Sequence, residues 1–166
     1  QRWDRNTAKR VDTFLCNSDN IRKKILEYYG RESQVIYPPV DLSRFKPGDS
    51  KANYYLMVGA FAPNKRVDLA IEAFNQLKLP LKISGSGQDE EYCRSIAGEN
   101  IEFLGALSNE KLLELYQQAR ALVFPGEDDF GITPLEAQAC NTPVIAFASG
   151  GALETVTEQT GIFFAE

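Results

Sequence analysis

Two sets of charged residues have the types and spacing to do chemistry. Asp128 and Glu136 stand eight positions apart in "GEDDFGITPLEAQACNTP", and Glu127 and Asp129 flank the first of them. Carboxylates accept paired hydrogen bonds from vicinal hydroxyls. A helix start between two such carboxylates presents backbone N–H groups that can hold a phosphate. Lys65 and Arg66 end the loop "GAFAPNKR", between an apolar run and a helical pattern. Cations in a first helical turn oppose the helix dipole, and a bound anion would offset that cost. Each set also has a plainer reading. Thr133-Pro134-Leu135-Glu136 fits a capping box, with Thr133 as the N-cap, Pro134 at the first helical position and Glu136 three residues after the cap. Lys65 and Arg66 can equally be a solvated surface pair.

Neither glycine-containing loop matches a nucleotide fingerprint in full. In Gly59–Arg66, Asn64 stands where a P-loop needs glycine, and Arg66 where serine or threonine would hold magnesium. In "SGSGQDEE", Gly85 and Gly87 make a tight turn, but Glu90 stands where the dinucleotide motif has its third glycine. That turn either lets backbone approach a ligand or only turns. The chain has no histidine, which removes Ser-His and Cys-His catalysis and the commonest metal ligand. Any chemistry must use carboxylates, Lys, Arg, hydroxyls, backbone groups or another polypeptide.

The elements that must position these residues follow from the hydrophobic rhythm. Apolar strands are expected at Thr13–Ser18, Gln34–Asp41, Tyr54–Gly59, Leu81–Ser84, Ile101–Gly105, Ala121–Pro125, Pro143–Phe147 and Gly161–Phe164. Helices are expected after Ser18, stopping at Gly30, then at Val67–Leu77, Asp89–Ala97, after Ser108, at Pro134–Cys140 and at Ala152–Val156. The first strand reads as buried, and Ile21, Ile25 and Tyr28 share one face of the helix behind it. Leu42–Asn53 reads as a loop or linker. Strands alternating with helices imply an α/β, Rossmann-like, doubly wound parallel sheet. Its ligands lie beyond the carboxyl ends of the strands, where Gly59–Arg66, Gly85–Gln88 and Pro125–Thr133 fall.

The 166 residues are 43% hydrophobic and 25% charged, which suits one globular domain. A net charge of −5 argues against nucleic acid as a partner. No apolar run is long enough for a membrane span. Cys16, Cys93 and Cys140, widely spaced and odd in number, read as reduced thiols of a cytoplasmic protein.

"FPGEDDFGITPLEAQACNTPVIAFASGG" resembles the donor-site signature of retaining GT-B glycosyltransferases of glycosyltransferase family 4. "YYLMVGAFAPNKRVDLAIEAF" resembles that family's phosphate loop and helix, and "ISGSGQDEEY" and "NIEFLGALSNEKLLELYQQARALVFP" resemble the segments between. Residues 1–50 resemble a connection from a preceding acceptor domain, and 51–166 the donor domain, expected to lack a final helix. The resemblance is strongest to mannosyltransferases of surface-polysaccharide and lipid-linked oligosaccharide assembly. It implies one half of a GT-B fold and a nucleotide-sugar donor, GDP-mannose, with no metal. Glu136 would hold the ribose hydroxyls and Asp128 would lie by the donor sugar. Lys65, joined by Arg66, would neutralise the diphosphate. Backbone at Phe130, Gly131, Ile132 and Thr133 would meet sugar and phosphates, Leu107 would lie near the base, and Gly59 and Gly85 would bring backbone to the donor. The acceptor would be a saccharide or lipid-linked, held by the preceding domain, with the parent at the inner face of a membrane. The isolated chain would bind donor and transfer nothing. Two positions depart from the family pattern: Asp128 replaces the usual glutamate, with Glu127 or Asp129 able to serve instead, and Ala60 replaces an arginine for which Arg66 would compensate. Rival readings are a sugar-nucleotide epimerase-type domain, an NAD module and a non-catalytic nucleotide-binding module.

Overall fold

The computed structural model describes residues 2–165. The chain forms two compact units, the first ending at Pro39 and the second starting at Val40. The first contains α1 (Arg2–Ala8), β1 (Phe14–Cys16), α2 (Asp19–Tyr29) and β2 (Ser33–Val35). β1 and β2 pair in parallel, Phe14 opposite Ser33. The Ser18 side chain caps α2 by accepting from the Ile21 N–H at 3.0 Å. Gly30 ends the helix in the left-handed region at φ 63°, its N–H bonded to the Leu26 carbonyl. The expectation of a buried first strand is corrected: Cys16 is buried but Leu15 is 57% exposed. Successive side chains of a strand point to opposite faces, so Leu15 lies on the face opposite Cys16. α2 likewise carries no buried residue. The second strand ends at Val35, short of the expected Asp41. Pro38 and Pro39 lack the N–H that a ladder needs.

In the second unit the expected alternation holds throughout. β3 (Tyr55–Val58) leads through a 3-10 turn at Pro63–Lys65 into α3 (Val67–Leu77). β4 (Leu81–Ser84), α4 (Glu90–Ile96), β5 (Ile101–Gly105), α5 (Asn109–Gln118) and β6 (Leu122–Phe124) follow. α6 (Ile132–Ala139), β7 (Val144–Phe147), α7 (Ala152–Thr155) and β8 (Gly161–Phe164) complete it. The six strands β3–β8 form one sheet in the order β5-β4-β3-β6-β7-β8, every neighbour parallel. This is the Rossmann-like, doubly wound arrangement. The chain winds outward from β3 to β5, crosses back, and winds outward again from β6 to β8.

Alternating strand residues feed two cores. Leu56, Leu122, Phe124, Val144 and Ala146 pack with Tyr116, Ala137, Cys140, Ala152 and Val156. Met57, Ile83, Leu81 and Val123 pack with Val67, Ala70, Ile71, Phe74 and Cys93. Leu122 and Phe124 thus face α5–α7, and Val123 between them faces α3 and α4. The segment after Val40 is anchored on the first of these cores. Phe45 is 5% exposed and meets the Tyr116 ring edge-on at 5.9 Å. The Ala52 N–H donates to the Gln118 carbonyl at 2.7 Å.

Candidate functional site

The sheet order reverses between β3 and β6, the switch point beyond whose carboxyl strand ends a doubly wound sheet takes its ligands. The loops after the strands close on one another by backbone contact. The Gly59 N–H donates to the Ser84 carbonyl at 3.0 Å, the Phe61 N–H to Ser86 at 3.0 Å, and the Gly85 N–H to Gly105 at 2.9 Å. A Cβ at Gly85 would strike the Gly59 carbonyl oxygen, and one at Gly126 would strike the Asn64 carbonyl and the Lys65 backbone. In contrast, nothing lies within 4 Å of where a Gly59 Cβ would stand. The end of β3 therefore faces open space.

Joining the loops after β3 and β6, the Lys65 ammonium forms an ion pair with Asp128 Oδ1. Both side chains are largely buried, 26% and 20% exposed. Of the three neighbouring acids, Asp128 is the one that meets the lysine. Glu127 and Asp129 are exposed, and Glu127 Oε2 accepts from the Ser149 hydroxyl at 2.9 Å. Arg66 takes a different direction. It sits in the left-handed region at φ 49°, its Nε 3.4 Å from Asp68 Oδ1. It lines a 370 Å³ cavity with Asp89, Tyr92 and Cys93, a cavity that neither Lys65 nor Asp128 lines.

Of the two readings of Glu136, the capping box does not form. α6 starts at Ile132, with Gly131 as its N-cap at φ 86° and no side-chain cap. Thr133 therefore lies inside the first turn rather than before it. Pro134 is tolerated because N–H groups of a first turn have no intrahelical acceptor. Freed from capping, the Glu136 carboxylate is engaged by another element: the fully buried Tyr116 on α5 donates its hydroxyl to Glu136 Oε2 at 2.9 Å. Burial raises the Glu136 carboxyl above its ordinary range, while the Tyr116 hydrogen bond and the Arg44 charge pull it back down. The Arg44 guanidinium carbon lies over the Phe45 ring, 4.7 Å from its centroid, and Arg44 donates to the Asn109 carbonyl at 3.2 Å.

The remaining expected residues lie on the loops after β5 and β6 and at the start of α6. Phe130 is buried beneath Gly151, whose Cβ position its backbone occupies. Ile132 is 41% exposed at the start of α6. Leu107 lies between Gly105, at φ 67°, and Ser108, which caps α5 by accepting from the Lys111 N–H. Three contributors escaped the sequence reading. The Ser149–Gly151 turn is tied to the acidic loop by the Gly151 N–H and the Asp128 carbonyl at 2.8 Å, and only its Gly-Gly pair hinted at this. Tyr116 reads in sequence as an ordinary core position of a helix. Arg44 sits in a polar segment with no periodicity. Among the described residues, no group of three or more His, Cys, Asp or Glu side chains is placed to hold a metal, and no helix is long and apolar enough to cross a membrane.

The family model for glycosyl transferases group 1 matches residues 40–166. The chain belongs to this family. It is 31% identical over 161 residues to an uncharacterised glycosyltransferase of Methanocaldococcus jannaschii, covering 93% of this chain and 45% of that one. It is 33% identical over 175 residues to a D-inositol 3-phosphate glycosyltransferase of Geodermatophilus obscurus, covering 85% of this chain and 39% of that one. The group 1 chain thus spans less than half the length of these relatives. Among solved structures, an Anabaena protein, Alr3699/HepE, in complex with UDP and glucose superposes with a TM-score of 0.87 at 20% identity, over 99% of this chain and 52% of that one. Sucrose-phosphate synthase from Thermosynechococcus elongatus superposes with a TM-score of 0.80 at 26% identity, over 93% of this chain and 45% of that one. The second unit of this group 1 family member has the architecture of one Rossmann-like half of a GT-B fold.

Proposed function

We propose that the second unit binds a nucleoside-diphosphate sugar at the β3–β6 switch point. The full glycosyltransferase would move its hexose, with retention, to a saccharide or lipid-linked acceptor. The observation that carries this reading is the Lys65–Asp128 ion pair, formed by two loops where the sheet order reverses. Glu136 accepts the ribose hydroxyls through carboxylate oxygens. The diphosphate lies at Lys65 and the start of α6, with backbone from Phe130 to Thr133 against it. Gly59 supplies the open approach, and the turns at Gly85 and Leu107 border the nucleoside. As the glycosidic bond breaks, negative charge grows on the diphosphate. Lys65, preorganised in a partly buried position, stabilises it. Asp128 then stands next to the sugar. Arg66 contributes at longer range from the far end of its loop.

We read the donor as GDP-mannose on the sequence resemblance. The UDP bound to the Anabaena protein favours a UDP-hexose as the second reading. The chain alone binds donor without transferring it. A preceding domain supplies the acceptor, which if lipid-linked brings the parent to the inner membrane face.

Ligand-detected NMR with GDP, UDP and their hexose conjugates tests the site. Lys65→Ala should weaken nucleoside-diphosphate binding roughly tenfold to a hundredfold, the worth of a charge-assisted hydrogen bond. Asp128→Ala should do the opposite for the bare diphosphates, since it removes the carboxylate that competes for Lys65. Loss of binding in both variants, or in neither, would sink this assignment. Mannose transfer by the chain alone would refute its inactivity.

A further inference from the structure

We infer that Tyr116 is a positioning residue of the donor site: its buried hydroxyl fixes one oxygen of the Glu136 carboxylate and aims the other at the ribose. This rests on the donor-site reading above. Tyr116 is fully buried, so its phenol has no access to a ligand. It reaches Glu136 from a different helix, at 2.9 Å on Oε2. The Phe45 ring packs edge-on against it at 5.9 Å, and the Thr142 hydroxyl donates to its carbonyl. Helix and side chain are thus held from both ends.

A glutamate has three rotatable side-chain bonds. In a half-buried place it would otherwise sample several of them, and most would not present an oxygen to a diol. One strong hydrogen bond to Oε2 leaves Oε1 as the oxygen with acceptor capacity for a diol. Burial raises the carboxyl, and the same bond, with the Arg44 charge, pulls it back down. Among the elements packed on α6, α5 carries Glu110, Lys111 and Glu114 besides Tyr116. The Cys140 thiol lies at the end of α6 and feels the Glu136 charge. β6 and β7, which pack on α6, carry no titratable side chain, and α7 carries only Glu154.

The test is Tyr116→Phe in the whole chain, which deletes one oxygen and keeps the ring, beside Glu136→Ala. Binding of GDP and UDP is measured from about pH 5 to about pH 8, the range in which a raised carboxyl titrates. A melting curve accompanies each protein. Y116F should weaken nucleotide binding about tenfold, the loss of a hydrogen bond to a charged group. Its acid limb should also move to higher pH, which lost packing alone would not cause. Binding that fails in E136A but survives in Y116F, with an unmoved pH profile, overturns the positioning role and leaves the donor site standing. Failure of the wild type to bind either nucleotide sinks the donor site, and the positioning role with it. One measurement needs no variant. In the ligand-free chain, the Tyr116 Cζ signal should follow the Glu136 carboxyl titration with the same midpoint, and a Tyr116 signal that ignores that titration overturns the inference.

Discussion

Glu136 is a carboxylate held where its charge is disfavoured. Its carboxyl titrates above the ordinary 4.5, chiefly because of burial. The folded chain therefore binds this proton more tightly than the unfolded chain does. Its contribution to stability is fully present below about 4.5 and is lost as pH rises through the higher folded value. Glu136→Gln should remove that slope and raise the melting temperature at neutral pH relative to wild type, as expected where a site gives up stability for function. Melting curves across pH check this, and a slope that persists in E136Q would place the titration on another group. The sequence made Glu136 visible as a candidate and offered a capping box as its plainer reading, which does not form. A capping box is a local signal, and Tyr116, twenty residues earlier, is not local. Asp128 was legible as one of three acids. Which of the three meets Lys65 depends on how two loops close, and their residue types do not state that.

Among the elements, the loops after the strands are closely packed in the second unit. They touch backbone to backbone at Gly85, Gly126 and Gly151, where any side chain would collide. Gly126→Ala should cost on the order of 2–3 kcal/mol through overpacking and should weaken nucleotide binding as well, because Lys65 sits on the displaced strand of loop. Gly30→Ala has open space but a φ of +63°, so strain alone should cost about 1 kcal/mol, with no change in binding. Denaturant melts of the two variants separate crowding from strain. Helix ends set by local chemistry were readable in advance: Ser18 and Ser108 as caps and Gly30 as a stop. The start of α6 was not. Gly131 takes the left-handed conformation and begins the helix two residues before the Pro134 that the sequence marks as its first position.

For the molecule as a whole, strand alternation and helix spacing were enough to read the sheet. A buried parallel strand must offer apolar residues to both faces, and β6 does so with Leu122, Val123 and Phe124. Both cores lie within Val40 and the residues that follow, so a chain starting there should fold cooperatively and keep its nucleotide affinity. Leu56→Ala, at a position with no exposure, should lower its stability by about 2–5 kcal/mol, and calorimetry would show both. The contacts that make the site, Lys65 with Asp128 and Tyr116 with Glu136, join segments far apart in the chain, and single-sequence patterns are blind to them. The first of these pairs also bears on life among other anions. Without a ligand, the lysine is already neutralised from within. Inorganic phosphate can satisfy Lys65 but leaves Asp128 stranded without a cation. A molecule that brings phosphate oxygens for one and hydroxyl hydrogens for the other satisfies both at once. On the donor reading proposed above, the pair thus works as a logical conjunction, favouring sugar and diphosphate presented together over the far more abundant solutes that carry only one of them.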